Sequence, residues 1–481
     1  MAEQTTREAG ILAPAYRTAT VGSFALIFLA AFEALAVTTI MPTVAEELDG
    51  DALYSLAFSG TLAASVVGMV AGGAWSDRRG PVPPLLAAVG VFLTGLLAAG
   101  LATDMGVFVV GRFLQGLGGG ATTVALYVVV ARLYPARLHP SIFGAFAAAW
   151  VIPSLIGPAV AGFVADEISW HWVFLGVGVL TLAASAVMLP TLRLLLATPH
   201  ERAEELARAW PAILLSLVVA AGVVAISIGG ELGGGAAHGD AGAGSPGTGW
   251  LGWAVAAAAL VVVAVAMRPL LPKRTLLVGR GLPATVMLRG AVAAAFFATE
   301  IYLPLLLQER DGLSATAAGL ILTVGAVSWA VGSDVQGRFL ARMPHDVVVR
   351  IGAALVAAGI AGQLLVAVLG LGPVGAAAAW LVAGAGMGTV FPRISTLVLA
   401  YSTPRDQGFN SSAMSMADAV GGAIAIALSG LVFAAVGGRE QPSAFTAVFV
   451  LTALLAVLAV PVAIRVRERA REASGHATAA S

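Results

Sequence analysis

The sequence predicts an all-α integral membrane protein of fourteen spans with both termini cytoplasmic. Three observations predict it. The 481 residues are 59% hydrophobic and only 11% charged, with mean hydropathy +0.93. An ordinary soluble domain is about 25% charged, so this chain could not cover its surface in water. Apolar runs of about 20 residues, long enough to cross the hydrocarbon core, recur fourteen times. Basic residues alternate with these runs. Of the 26 Lys and Arg, all but Arg112, Arg289, Arg310, Arg393 and Arg439 fall at the termini or at alternate connections, which the positive-inside rule makes cytoplasmic.

The first span, 20–42, is too long for a signal peptide and lacks a cleavage pattern; the acidic "AEELDGD" follows on the outer side. Spans 55–75 and 84–103 flank the basic turn "SDRRGP", and spans 106–131 and 142–165 flank "ARLYPARLHP". The acidic "ADEIS" then precedes span 171–191, which opens at Trp170 and Trp172, a pair suited to the membrane interface. The inner stretch 193–208 suggests a short surface helix. Spans 211–231 and 250–269 are joined by "GGELGGGAAHGDAGAGSPGTGW", whose Gly/Ala/Ser composition reads as a flexible connector; Trp210, Trp250 and Trp253 sit at their ends. The remaining spans are 283–307, 315–337, 347–370, 374–400, 408–436 and 443–464.

Composition also excludes functions. Net charge is zero, which argues against a nucleic-acid partner. Cysteine is absent, so disulfides and thiolate chemistry are excluded. The histidines (139, 171, 200, 238, 345 and 476) fall in loops or at span ends, leaving no buried histidine cluster to hold a metal. With 25 Arg to the single Lys273 and abundant Ala and Gly, the composition reads as that of a G+C-rich bacterium.

The two halves repeat weakly. Pro42 corresponds to Pro304, "GAWSDRRGP" at Gly73 to "GRFLARMP" at Gly337, and "QGLGGGATTV" to "AGAGMGTVFP", with Gly116, Gly118 and Gly120 matched to Gly384, Gly386 and Gly388. The simplest parse is a six-span bundle over 1–200, a two-span insertion over 201–275 with its outer Gly-rich loop, and a second six-span bundle with a tail over 276–481. Parallel six-helix halves with a site near the midplane are a transporter architecture.

Three motifs carry a family resemblance. "GGAWSDRRGP" resembles the loop signature of the major facilitator superfamily, matched at Gly73, Asp77, Arg78 and Gly80. The resemblance implies a gating loop whose acid helps latch the halves. The basic residues usual after the last Gly are replaced by Pro81 and Val82, which implies a latch that is either weaker or wired through Arg79. "GRFLQGLGGG" resembles the span-4 motif at Arg112, Gln115 and Gly116; Gly116 and Gly120 also form a G-x-x-x-G packing seam. "IGPAVAGF" resembles the antiporter motif at Gly157, Pro158 and Gly162, with Ala161 in place of a Gly. In fourteen-span drug:proton antiporters, span 1 carries an acid nine residues before a Pro. Glu33 and Pro42 keep that spacing, with Glu replacing the commoner Asp.

An isolated carboxylate in hydrocarbon is costly and marks a functional group. Glu33 lies roughly 15 Å and Arg112 roughly 9 Å from the outer ends of their spans, at 1.5 Å per residue, so the two side chains can meet if their helices are neighbours. Burial opposes ionisation and a nearby Arg favours it; a group held between those influences can exchange a proton as water reaches it from alternate sides. Glu300, four residues before Pro304, is a second such acid. Matched depth further suggests buried pairs of Arg393 with Asp418 and of Arg289 with Asp334. Phe32, Gln115, Tyr127, Trp150, Phe296, Tyr302, Trp329 and Phe391 are candidates to line a substrate cavity, where aromatic faces and acids favour lipophilic cations.

The expected protein is therefore a proton-coupled antiporter of the bacterial plasma membrane, exporting hydrophobic cationic compounds by alternating access. Glu33, Arg112 and Glu300 are its expected coupling residues. It needs no cofactor beyond the proton gradient, and no phosphate-binding loop is present. Its partners are the bilayer, protons and a small substrate, and one chain is expected to suffice. The alternative is proton-coupled export of a native metabolite, amino acid or lipid. A membrane enzyme would need a nucleophile–base or metal cluster that the sequence does not offer.

Overall fold

The computed structural model describes residues 10–135, 138–197, 209–234, 249–340, 343–402 and 407–467. Fourteen helices in it are long and apolar enough to cross a membrane. They are α1 (Arg17–Glu47), α2 (Tyr54–Arg79), α3 (Val82–Gly100), α4 (Met105–Leu133), α5 (His139–Glu167), α6 (His171–Ala197), α7 (Ala209–Gly234), α8 (Gly249–Met267), α9 (Leu282–Glu309), α10 (Ala315–Arg338), α11 (His345–Leu369), α12 (Gly372–Ala400), α13 (Gln407–Ala435) and α14 (Pro442–Ile464). All regular structure among the described residues is helical, as a bilayer demands of a chain that must satisfy its own backbone.

The ends of these helices are written locally. Prolines occupy the first turn of α3, α5, α9, α12 and α14, where no N–H is required of them. Gly80 ends α2 at φ +78° and Gly370 ends α11 at φ +66°, in the left-handed region that glycine enters without penalty. Asp104 caps α4 by accepting from the Val107 N–H at 3.0 Å. Removing that cap in Asp104→Ala is expected to cost about 1 kcal/mol, read as a modest fall in thermal unfolding temperature in detergent.

The chain forms two compact units, one of Met1–Ala220 with Leu313–Thr323, the other of Ala221–Gly312 with Val324–Ser481. In the first unit α4 lies between α2 and α3, and its glycines set the approach. A Cβ on Gly116 or Gly120 would strike the α2 carbonyls of Thr61 and Ser65, and one on Gly118 would strike α3 at Phe92. The second unit repeats this arrangement. Gly384 and Gly388 of α12 abut Gly325 and Trp329 of α10, while Gly386 abuts Val356 of α11. These are the positions that the sequence repeat aligned, so the internal similarity corresponds to a shared packing seam.

The antiporter-like segment of α5 packs on two neighbours inside the first unit. Gly157 faces Phe32 of α1, Gly162 faces Ala315 and Thr316, and Gly319 approaches the Pro158 carbonyl. Asp166, one turn further along, accepts from both the Thr316 N–H at 3.0 Å and its hydroxyl at 2.5 Å.

Candidate functional site

The glycine seam between α2 and α4 brings Arg112 against Ala57, and α1 supplies Glu33. Arg112 Nη1 forms an ion pair with Glu33 Oε1. The same nitrogen donates to Gln115 Oε1 at 2.7 Å, and Nε donates to the Ala57 carbonyl at 3.3 Å. Glu33 is 3% and Arg112 2% exposed. The guanidinium thus meets one carboxylate and two neutral acceptors from three helices. Gln115 keeps its amide nitrogen buried with no partner among the described residues, an unspent donor beside the pair. Such groups in native structures call for a water, an ion or a ligand.

The second unit holds another charge pair, half-buried, and it corrects two expected pairings. Arg289 donates from Nε to Asp418 Oδ2 at 2.7 Å, and Nη2 lies 2.6 Å from the same oxygen. Arg393 therefore does not pair with Asp418. It donates to the Leu340 carbonyl, just past the end of α10, and lies 3.2 Å from His345 Nδ1 at the start of α11. Asp334 does not pair with Arg289 either. It bonds Arg338 at 2.7 Å, one turn along its own helix and largely exposed. The reason is lateral: α9 and α13 cross closely where Gly290 meets Ala417 and Gly421, and Arg289 and Asp418 flank that crossing. Asp418 Oδ1 is buried without a partner among the described residues.

Glu300 is half-buried in α9 with no hydrogen-bond or charge partner among the described residues. In the loop signature, Gly73 is half-buried, Arg78 is exposed and Gly80 makes the turn; Asp77 lies in the last turn of α2, its side chain outside what is described. Trp75, Arg78, Arg79 and Trp210 border a cavity of about 280 Å³ in the first unit.

The aromatic candidates divide. Phe296 stacks on Trp380 at 4.4 Å and meets Trp329 edge-on at 5.5 Å, and Trp329 meets Phe391 at 5.2 Å. The Arg289 guanidinium lies 3.5 Å from the Phe391 ring centre. This ladder leads to the second charge pair. Trp380, the buried far end of the ladder, was not among the sequence candidates; no polarity or motif marks it. Tyr302 is 1% exposed against Phe433, so it packs rather than lines. Phe32 is half-buried against Gly157. Tyr127, stacked on Phe146, and Trp150 are both exposed.

Fourteen apolar helices in two glycine-seamed units, each holding a charge pair within its helices, define a multi-pass membrane transporter. The profile of the Major Facilitator Superfamily matches residues 23–392, and the chain belongs to that superfamily. The MFS-type transporter ppz2 of Metarhizium majus is 26% identical over 446 residues, 87% of this chain and 72% of that protein. An Acurin A biosynthesis cluster MFS-type transporter of Aspergillus aculeatus is 31% identical over 147 residues, 31% of this chain and 26% of that protein. A POT family transporter crystallised with 5-aminolevulinic acid shares the fold at TM-score 0.68 and 14% identity, over 94% of this chain and 96% of that one.

Proposed function

We propose that the protein is a proton-coupled antiporter that exports hydrophobic, cationic small molecules across a bacterial plasma membrane, with both termini cytoplasmic. The observation that carries this reading is the Glu33–Arg112 pair, buried among α1, α2 and α4. Protonation of Glu33 neutralises the acid and frees the guanidinium to rely on Gln115 and the Ala57 carbonyl, which already accept from it. The site therefore has a second arrangement available when the proton arrives, as alternating access requires. Each elementary charge moved across 100 mV supplies about 2.3 kcal/mol. Glu300, without a hydrogen-bond or charge partner among the described residues, is the second carboxyl able to take a proton. Gly157, Pro158 and Gly162 support export over import, by their likeness to the antiporter motif.

The test uses purified protein in proteoliposomes with an acidic lumen and tetraphenylphosphonium outside. Antiport moves protons out and the cation in, so the cation is expected to accumulate in the acidic lumen while a lumenal pH dye reports alkalinisation. Accumulation that persists after nigericin collapses the pH gradient would defeat proton coupling. The relative in the acurin A cluster favours a second reading, in which the exported compound is a native metabolite. Comparing metabolites released by cells with and without the gene separates the two.

A further inference from the structure

The linker joining α8 to α9, residues 268–281, reads "RPLLPKRTLLVGRG". It carries Arg268, Lys273, Arg274 and Arg280, all exposed, and no acid. None of the four side chains has a hydrogen-bond or charge partner among the described residues. The linker is nonetheless tightly folded. The Thr275 N–H and hydroxyl both donate to the Pro272 carbonyl, at 3.1 and 2.7 Å, and the Gly279 N–H donates to the Arg274 carbonyl at 3.0 Å. Arg274 at φ 69° and Val278 at φ 52° occupy the left-handed region, a genuine outlier for a β-branched residue. Such conformations persist where the surroundings over-determine them. Here the Gly281 N–H donates to the Arg465 carbonyl at 3.0 Å and Arg465 Nη1 to the Val278 carbonyl at 3.3 Å. The cations are therefore presented on a fixed scaffold.

Beside this linker lies an apolar groove of about 280 Å³ within the second unit, walled by α8, α9 and α13 and floored by linker residues including Leu271. It exists because the facing positions are small: Gly290, Ala291 and Ala294 on α9, Ala417 and Gly421 on α13. Thr275, its polar lining residue, spends its hydroxyl on Pro272. Along α13 the groove runs from Ala417 to Leu428, about 16 Å at 1.5 Å per residue. That is close to half of an approximately 30 Å hydrocarbon core, the depth of one leaflet.

We propose that this groove holds an acyl chain of an anionic membrane phospholipid whose phosphate rests on Arg268, Lys273 and Arg274. A leaflet-deep apolar slot, lined at the linker by Met267, Leu271 and Thr275, whose sequence neighbours Arg268, Lys273 and Arg274 are exposed cations, matches the two halves of such a lipid. Basic clusters at the ends of membrane helices recognise anionic headgroups in this way. The chemistry needs nothing from the transport reading and stands or falls apart from it.

The test is native mass spectrometry of the full chain after reconstitution in phosphatidylcholine vesicles containing a minor share of phosphatidylglycerol. Wild type is expected to retain one phosphatidylglycerol per chain, enriched over phosphatidylcholine. The Arg268→Gln/Lys273→Gln/Arg274→Gln variant should lose that enrichment roughly tenfold or more, given three headgroup contacts removed. Ala291→Phe, which fills the groove, should lose the lipid whatever its headgroup. Lys273→Gln alone, an exposed change that leaves the fold intact, should weaken retention measurably. Equal retention of the two lipids, unchanged retention in the triple variant, displacement by inorganic phosphate, or a dimer in place of the lipid adduct would each overturn the proposal.

Discussion

Glu33→Gln is expected to destabilise the protein by roughly 3–5 kcal/mol, the usual cost of leaving a buried charge without its counter-ion, and to abolish proton-driven export. The side chain keeps its volume and can still accept from Arg112. The guanidinium, 2% exposed, is then left with only neutral acceptors, at Gln115 and Ala57. Removing the cation as well, in Glu33→Gln/Arg112→Gln, should return most of the lost stability without restoring transport. A double-mutant cycle on thermal unfolding isolates that coupling. Glu33→Asp should retain partial transport, since the carboxyl persists on a chain one methylene shorter. A Gln variant that is both stable and fully proton-coupled would sink the assignment and move the proton to Glu300 or elsewhere.

Gly120→Leu is expected to prevent assembly of the first unit, while Gly119→Ala should be close to neutral. The two residues are adjacent in sequence and face different surroundings. A Cβ on Gly120 falls on the Ser65 carbonyl of α2, whereas one on Gly119 reaches only the Phe92 ring at 3.9 Å. Overpacking ordinarily costs about 1–3 kcal/mol, and more where neighbours cannot yield; a backbone carbonyl inside a helix yields least. Even Gly120→Ala should show a loss in that range. The readout is the yield of monodisperse protein and its unfolding temperature. Equal behaviour of Gly119→Ala and Gly120→Ala would refute the seam as the organising contact.

The spans were legible because bilayer thickness sets their length and the basic residues mark their ends. The Glu33–Arg112 pairing was legible for the same reason: counting residues from two loop ends placed both groups at similar depth. Depth is one coordinate, however. It does not say which helices are neighbours or which face a side chain occupies, and Arg393 with Asp418 failed on that account. The lateral information lay in the small residues. Gly290 follows Arg289 and Ala417 precedes Asp418, so the α9–α13 crossing could have been inferred from small residues beside charged ones. Asp334 with Arg338 was also readable, since acid and base four apart share a helix face. The Phe296–Trp380 stack had no comparable signal, because an aromatic in an apolar helix resembles every other.

The seam between α2 and α4 also bears on how the protein is made. Gly68 on α2 and Gly120 on α4 are separated by 52 residues, including the whole of α3. At about 5–20 residues per second, synthesis takes roughly 3–10 s to cover that interval. Through that time the α2 surface that will receive α4 has no partner from its own chain. It is built for the wait. Thr61 and Ser65 turn their hydroxyls back onto the Ala57 and Leu62 carbonyls, each at 2.7 Å, so the nascent helix carries these polar groups through lipid already satisfied.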